Sequence, residues 1–597
     1  MPNPTADLSY SGRLSQSYVI YTDGYLSRSS MSRYDVVLVH APSVYDFRER
    51  SLLYGPVADL IPSTPVFEMY PIGFTTIASL LAKNGFKVRF LNLAAHMLAD
   101  EKFDVGRAIR KTDSAIFGID LHWLPHAHGS IEVARLIKGA HPDSKVVFGG
   151  FSSTYYHNEI LHNPNVDAVL LGDSTELPML QLAEAVERGA PLGDVKNIAY
   201  RENRKIRSSG ITHIVENLDE VEFDYGLIVK MVLGSLDLTG HLPYLGWKRN
   251  PMLLVSTVRG CSHNCATCMG GCASFRRNFG RTRPAFRSPE KVMEDIGQIE
   301  SYFRGAIFLL GDIQQPGKSY AGDLLTMLRE ARPRNEIALE FFQPPSGELV
   351  DSIGRSLEVF DVQISPDSHD PEVRASQGRS YSNESLERAV GDFIRSGARR
   401  VDMFFMIGLP KQDPRSVQGT VEYSRSLMGR MRAGEKLLTF ISPLAPFLDE
   451  GSEAFEEPDR HGYRIFAKSL AEHRDLLLKP SWKHVLNYET VWMTREQIVD
   501  ATYSAGLGMN AAKEEAGAIS GEDAEAVRSR IKLAVAAMKK IDAAMESANP
   551  DESLSALKGE LRSLSESTVC DKSELDWSRR SFYWSIPKAS LALLLGK

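Results

Sequence analysis

Eleven short apolar runs alternate with segments of helical spacing along this chain, five of them before residue 175 and six after residue 250. That alternation leaves few folds open, because short buried runs joined by amphipathic helices are the signature of parallel strands with helical crossovers. The first series comprises Asp35–His40, Lys87–Asn92, Ala115–Asp120, Lys145–Phe148 and Ala168–Leu171, with Phe74–Lys83 and Ser130–Lys138 as helices between them. Five strands with such crossovers predict a flavodoxin-like, doubly wound domain over residues 34–205, whose ligand should lie outside the carboxyl ends of the strands. The second series comprises Met252–Val258, Ala306–Leu310, Ile337–Phe342, Phe360–Ile364, Val401–Ile407 and Leu437–Ile441, with a helix over Asn383–Ser396. It predicts a second parallel α/β unit over residues 251–455, and here too functional side chains should gather at the carboxyl ends.

The rest of the 597 residues divides around these units. Residues 1–33 have no clear period and form a lead-in, residues 206–250 are a linker, and residues 456–597 are a helical C-terminal domain with a helical hairpin over 511–565. A formal net charge of −7 argues against a nucleic-acid partner through bulk electrostatics. Five cysteines, four of them clustered, make no disulfide framework and suit a reducing cytoplasm. The start is polar and no apolar run approaches 18 residues, so neither signal peptide nor membrane span is expected. A soluble, cytoplasmic protein is the expectation.

Cys261, Cys265 and Cys268 lie in one loop directly after the first strand of the second series, in the segment from Arg259 to Gly271. Three thiolates so placed can hold three irons of a 4Fe–4S cluster and leave the fourth iron open. A zinc knuckle is the alternative, with Cys272 or His263 as fourth ligand. The C-x3-C-x2-C spacing after a strand resembles the radical S-adenosylmethionine (SAM) superfamily. The resemblance implies a partial (β/α)6 barrel, SAM chelated by the open iron, and one-electron cleavage of SAM to a 5'-deoxyadenosyl radical. Cys272 is then a bystander, and the oxygen-labile cluster implies anaerobic work.

Two strand ends of the first series carry Gly149-Gly150-Phe151-Ser152 and Gly172-Asp173, where glycine lets a ligand approach the backbone closely. With the segment Ile72–Ala94 and a radical SAM unit downstream, residues 34–205 resemble the cobalamin-binding domain of B12-dependent radical SAM enzymes. That resemblance implies cobalamin at Gly149, Gly150, Phe151, Ser152, Gly172 and Asp173, with His122 and Trp123 in a loop over the corrin. Many such domains carry Asp-x-His-x-x-Gly after the first strand, whose histidine binds cobalt. Here the first strand runs into His40-Ala41-Pro42-Ser43, and the one Asp-x-His of residues 34–205, at Asp120-Leu121-His122, follows the third strand and meets Pro125 in place of glycine. The expectation is therefore cobalamin with no histidine beneath cobalt.

The same family resemblance assigns SAM to Ser365 and Asp367 after the fourth strand of the second series, to Gly408 and Pro410 after the fifth, and to Asp312 or Gln314 after the second; Gln343 is a weaker candidate. The arginines 276, 277, 281, 283 and 287 are expected to form a solvated face, with a SAM carboxylate, a substrate acid or an electron donor as other readings. No further cysteine group could hold an auxiliary cluster. The function implied is a cobalamin-dependent radical SAM methyltransferase acting on an unactivated carbon, with a cyclase or rearrangement enzyme as the alternative. A protein, peptide or small-molecule substrate is expected, among them the glutamine α-carbon of methyl-coenzyme M reductase, with flavodoxin or ferredoxin as electron donor.

Overall fold

The computed structural model describes residues 34–50, 53, 71–248, 250–444, 446–564, 569–576 and 583–584. The lead-in expected over residues 1–33 lies outside them. Strands β1 (Tyr34–His40), β2 (Val88–Asn92), β3 (Ser114–Asp120), β4 (Lys145–Gly149) and β5 (Ala168–Leu170) pair in parallel in the order β2-β1-β3-β4-β5. Strand β1 is covered on both faces, which is why it reads as an unbroken apolar run. Val36 and Leu38 join the core on one side with Phe74, Ala78, Leu81, Met179 and Leu182, while Val37 and Val39 join the core on the other with Ile131 and Val133. The covering helices are α1 (Gly73–Lys83), α2 (Ala127–Ala140) and α4 (Glu176–Arg188), and a short helix α3 (Phe151–Tyr155) follows β4. The order reverses between β1 and β3, so a crevice opens at their carboxyl ends.

The sheet has seven strands where five were expected. Strands β6 (Ile198–Glu202) and β7 (Lys205–Ser208) add antiparallel at the β5 edge. They are short and polar outward, and Asn203 and Arg204, both at positive φ, close a two-residue hairpin that leaves little apolar signal. The linker also carries structure, a helix over Tyr225–Ser235 capped by Asp224.

Strands β8 (Met252–Ser256), β9 (Ala306–Leu310), β10 (Glu336–Phe341), β11 (Phe360–Asp367), β12 (Arg400–Ile407) and β13 (Leu437–Pro443) form an open parallel sheet in chain order. This is the partial (β/α)6 barrel. Helix α5 (Cys272–Phe279) leaves the cysteine loop, and α6 (Pro414–Met431) links β12 to β13. The C-terminal hairpin is shifted from the expected 511–565. It consists of α7 (Arg495–Glu515) and α8 (Gly521–Met545), because Thr494 and Ser520 cap the two helices and Gly517, at φ +67°, breaks the chain between them.

Candidate active site

The cysteine loop is held from three sides. Ala266 N donates to Gln377 O at 3.2 Å, Met269 N to Asp449 Oδ2 at 3.1 Å, and Ala454 N to Ala266 O at 2.9 Å. Gly378, at φ +95°, lets the 377–379 segment press on the loop, since a Cβ there would stand 2.7 Å from Asn264 O. Each thiol then meets an N–H donor: His263 N reaches Cys261 Sγ at 3.4 Å, Gly270 N reaches Cys268 Sγ at 3.2 Å, and Arg379 Nε reaches Cys265 Sγ at 3.5 Å. Donors of this kind favour thiolate charge. Burial pushes the Cys261 thiol up to about 11, so capturing a metal there must release its proton. Among the described residues no three His, Cys, Asp or Glu side chains converge on one metal ion. Cys272 begins α5 and lies off the cavity wall.

One cavity of about 660 Å³ lies between the carboxyl ends of the two sheets. Cys261, Cys265 and Cys268 border it on the barrel side, and Gly149, Gly150, Phe151, Gly172, Asp173 and His122 border it on the other. Trp123 and Ser152 lie off the wall, as do Asp312, Gln314, Ser365, Asp367, Gly408 and Pro410. Their side chains have other work. Asp312 accepts from Gln314 N at 2.9 Å and Phe342 N at 3.1 Å, so its oxygens tie β9 to β10. Asp367 pairs with Arg379 at 3.2 Å. Gly408 lies against the Tyr488 ring and accepts from Tyr463 Oη at 2.8 Å. The wall position near Gln314 is taken by its neighbour Gln315, whose Oε1 accepts from Ser262 N at 2.9 Å.

Two wall residues escaped the sequence reading. Arg379 donates to Asp367, to Cys265 and to the Ser365 carbonyl, and stands 5.5 Å from the Phe342 ring centroid. No strand end or spacing marks it in sequence. Glu340 is half-buried near the end of β10 and accepts from Gly311 N at 2.5 Å; its removal from water pushes its carboxyl up to about 7. A charged residue inside a run otherwise apolar, Ile337-Ala338-Leu339-Glu340-Phe341, was the available signal.

The arginine run is a correction in part. Arg283 is exposed, but Arg281 is buried against Asp173, with Arg281 Nη2 donating to Asp173 Oδ1 at 3.1 Å and to Val215 O at 2.9 Å. Arg287 is buried against Asp295 and donates to Leu218 O and Val221 O. The pair of Arg281 and Asp173 and the ion pair of Arg259 and Glu176 at 2.7 Å lock the first domain to the barrel, while Arg287 ties the linker to it. Phe151 completes the seam, its ring 4.9 Å from that of Phe279 and 5.5 Å from that of Phe275 on α5. Removing one partner of a buried pair costs about 3–5 kcal/mol, so the cavity's two walls are firmly registered.

The B12 binding domain model matches residues 60–179, and the radical SAM superfamily model matches residues 255–423. The chain carries a B12 binding domain followed by a radical SAM domain. Among relatives of this enzyme is an uncharacterized methyltransferase, PH0819, from Pyrococcus horikoshii, 24% identical over 361 residues that make 60% of this chain and 73% of the relative. Another is cytidylyl-2-hydroxyethylphosphonate methyltransferase from Streptomyces wedmorensis, 21% identical over 513 residues, or 78% of this chain and 91% of the relative. The chain also shares its fold with TsrM from Kitasatospora setae, solved with cobalamin and a 4Fe–4S cluster bound, at a TM-score of 0.55 and 15% identity over 83% of this chain and 90% of that one. No described helix is long and apolar enough to cross a membrane.

Proposed function

We propose that this enzyme transfers a methyl group to an unactivated carbon, using cobalamin as methyl carrier and a 4Fe–4S cluster with SAM as radical source. The observation that carries the reading is the shared cavity, with the three-cysteine loop on one wall and the glycine edge of the B12 domain on the other. When bound, the cofactors supply a transferable methyl and a hydrogen-abstracting radical. The chain supplies position. Cys261, Cys265 and Cys268 would hold the cluster, while Gly149, Gly150 and Gly172 would leave backbone room for the corrinoid.

Arg379, already beside Cys265, offers its guanidinium fork to the SAM carboxylate, with Asp367 fixing its direction. Asp312 is occupied within the sheet, so the SAM ammonium falls to Glu340, whose other oxygen is not used by Gly311. Ammonium binding would draw the Glu340 carboxyl to its ionised form. Leu254, Leu310, Phe342 and Ile119 give the wall an apolar lining that excludes water from reactive intermediates.

Both relatives with wide coverage are methyltransferases, which favours methyl transfer over the cyclase alternative. The substrates to assay are a small phosphonate nucleotide conjugate of the kind named for the Streptomyces relative, and a glutamine α-carbon in methyl-coenzyme M reductase. Anaerobic protein carrying both cofactors is given SAM, a low-potential reductant such as reduced flavodoxin, and each substrate. A product heavier by one methylene, formed with S-adenosylhomocysteine, is expected. Deoxyadenosine with no S-adenosylhomocysteine on any substrate would overturn methyl transfer and favour the cyclase.

A further inference from the structure

Outside the residues already used, the most unusual polar group in the molecule is a carboxylate shared by two histidines at the end of β3. Asp120 Oδ2 lies 2.9 Å from His40 Nδ1 and 2.7 Å from His122 Nδ1, and Asp120 is buried. Both rings present Nδ1 to the same carboxylate oxygen, which accepts from each when Nδ1 carries the proton. Each neutral ring then carries its lone pair on Nε2.

The two rings differ in what that lone pair meets. His40 is buried, off the cavity wall, and its Nε2 has no partner. His122 is part exposed and stands on the wall beside Gly149 and Gly150, and no described residue hydrogen-bonds its Nε2.

The backbone around His122 is fixed to match. Leu121 N donates to Gly149 O at 2.8 Å and Ser153 N to Leu121 O at 3.0 Å. Gly150 adopts φ +115°, and a Cβ on it would fall 2.5 Å from His122 Cα and 2.6 Å from His122 N. Glycine is therefore what allows the β4 end to clamp the histidine. Ser130 Oγ donates to the Asp120 carbonyl at 3.0 Å, and the His126 ring stacks 5.6 Å from that of His122. A histidine with Nδ1 taken by a carboxylate, its backbone clamped and its ring on the wall of a largely apolar cavity has the arrangement of a metal-ligating histidine.

We propose that His122 ligates the cobalt of the bound corrinoid through Nε2, with Asp120 as the positioning residue that sets its tautomer. This rests on the cobalamin reading above, and it reverses the expectation drawn from the missing first-strand loop. The third strand supplies the Asp-x-His pair in its place, and Pro125 does not prevent the pair from forming.

The test is EPR of the full-length protein loaded with cob(II)alamin, prepared once with natural histidine and once with 15N-histidine. The expected result is a nitrogen triplet on the cobalt lines that becomes a doublet with the label. This needs no variant, so folding cannot confuse it. In His122→Ala the splitting should vanish while the corrinoid absorbance persists, and added imidazole should restore it. Absence of any splitting in the unlabelled protein, or a triplet unchanged by the label because it comes from the cofactor's own base, would overturn the proposal and leave cobalamin binding standing. Failure to retain any corrinoid would bring down both the proposal and the cobalamin reading beneath it.

Discussion

Replacing Glu450 with glutamine should flatten the alkaline fall in this protein's stability. Glu450 is 2% exposed, next to Asp449 at the exit of the barrel, and one of its carboxyl oxygens has no partner. Burial, reinforced by the Asp449 charge, pushes its carboxyl from 4.5 up to about 8. The unfolded chain releases this proton near pH 4.5 and the folded chain only near 8, so between those values the folded state holds more protons. Its contribution is complete below about pH 4.5 and drains away as the pH rises to about 8. The slope is about 1.4 kcal/mol per pH unit and halves by pH 8, so raising the pH from 6 to 8 should cost the wild type about 2 kcal/mol through this one group. Glutamine keeps the shape and cannot ionise. Denaturant unfolding of wild type and Glu450→Gln under anaerobic conditions at pH 6, 7, 8 and 9 isolates the term as a difference. Parallel pH profiles for the two proteins would refute the reasoning.

The triple variant Cys261→Ala, Cys265→Ala, Cys268→Ala should lose the brown chromophore and all SAM cleavage, while Cys272→Ala keeps both; iron analysis decides. Arg379→Lys retains the charge and loses the fork, so KM for SAM should rise roughly tenfold, about 1.4 kcal/mol, with corrinoid content unchanged by absorbance. Gly150→Ala forces a Cβ into the His122 backbone at a strained φ, costing at least about 1–3 kcal/mol, and purified protein should carry less corrinoid than wild type.

What could be read from the sequence is what depends on local pattern. Strands such as Val36–Val39 are buried on both faces and so appear as apolar runs, and the cysteine spacing is set by one loop. What escaped depends on contacts between distant segments. Arg379 reaches Cys265 across 114 positions, and Arg281 reaches Asp173 across 108, so nothing in the arginine run itself separates the buried members from the exposed Arg283. Asp173 stands on the cavity wall as glycine-edge reasoning implied, yet its carboxylate is committed to Arg281. The Asp120–His122 pair was visible as Asp-x-His. Only the structure shows that His40, from another strand, shares the carboxylate.

The central claim is that one cavity brings a methyl carrier and a radical source to the same carbon. It is tested most directly by counting both SAM products against a substrate deuterated at the target position. Each methylated product should accompany one S-adenosylhomocysteine and one 5'-deoxyadenosine, and the deuterium should appear in the deoxyadenosine. Methylated product formed without deoxyadenosine, or with deuterium left on the carbon, would contradict the account.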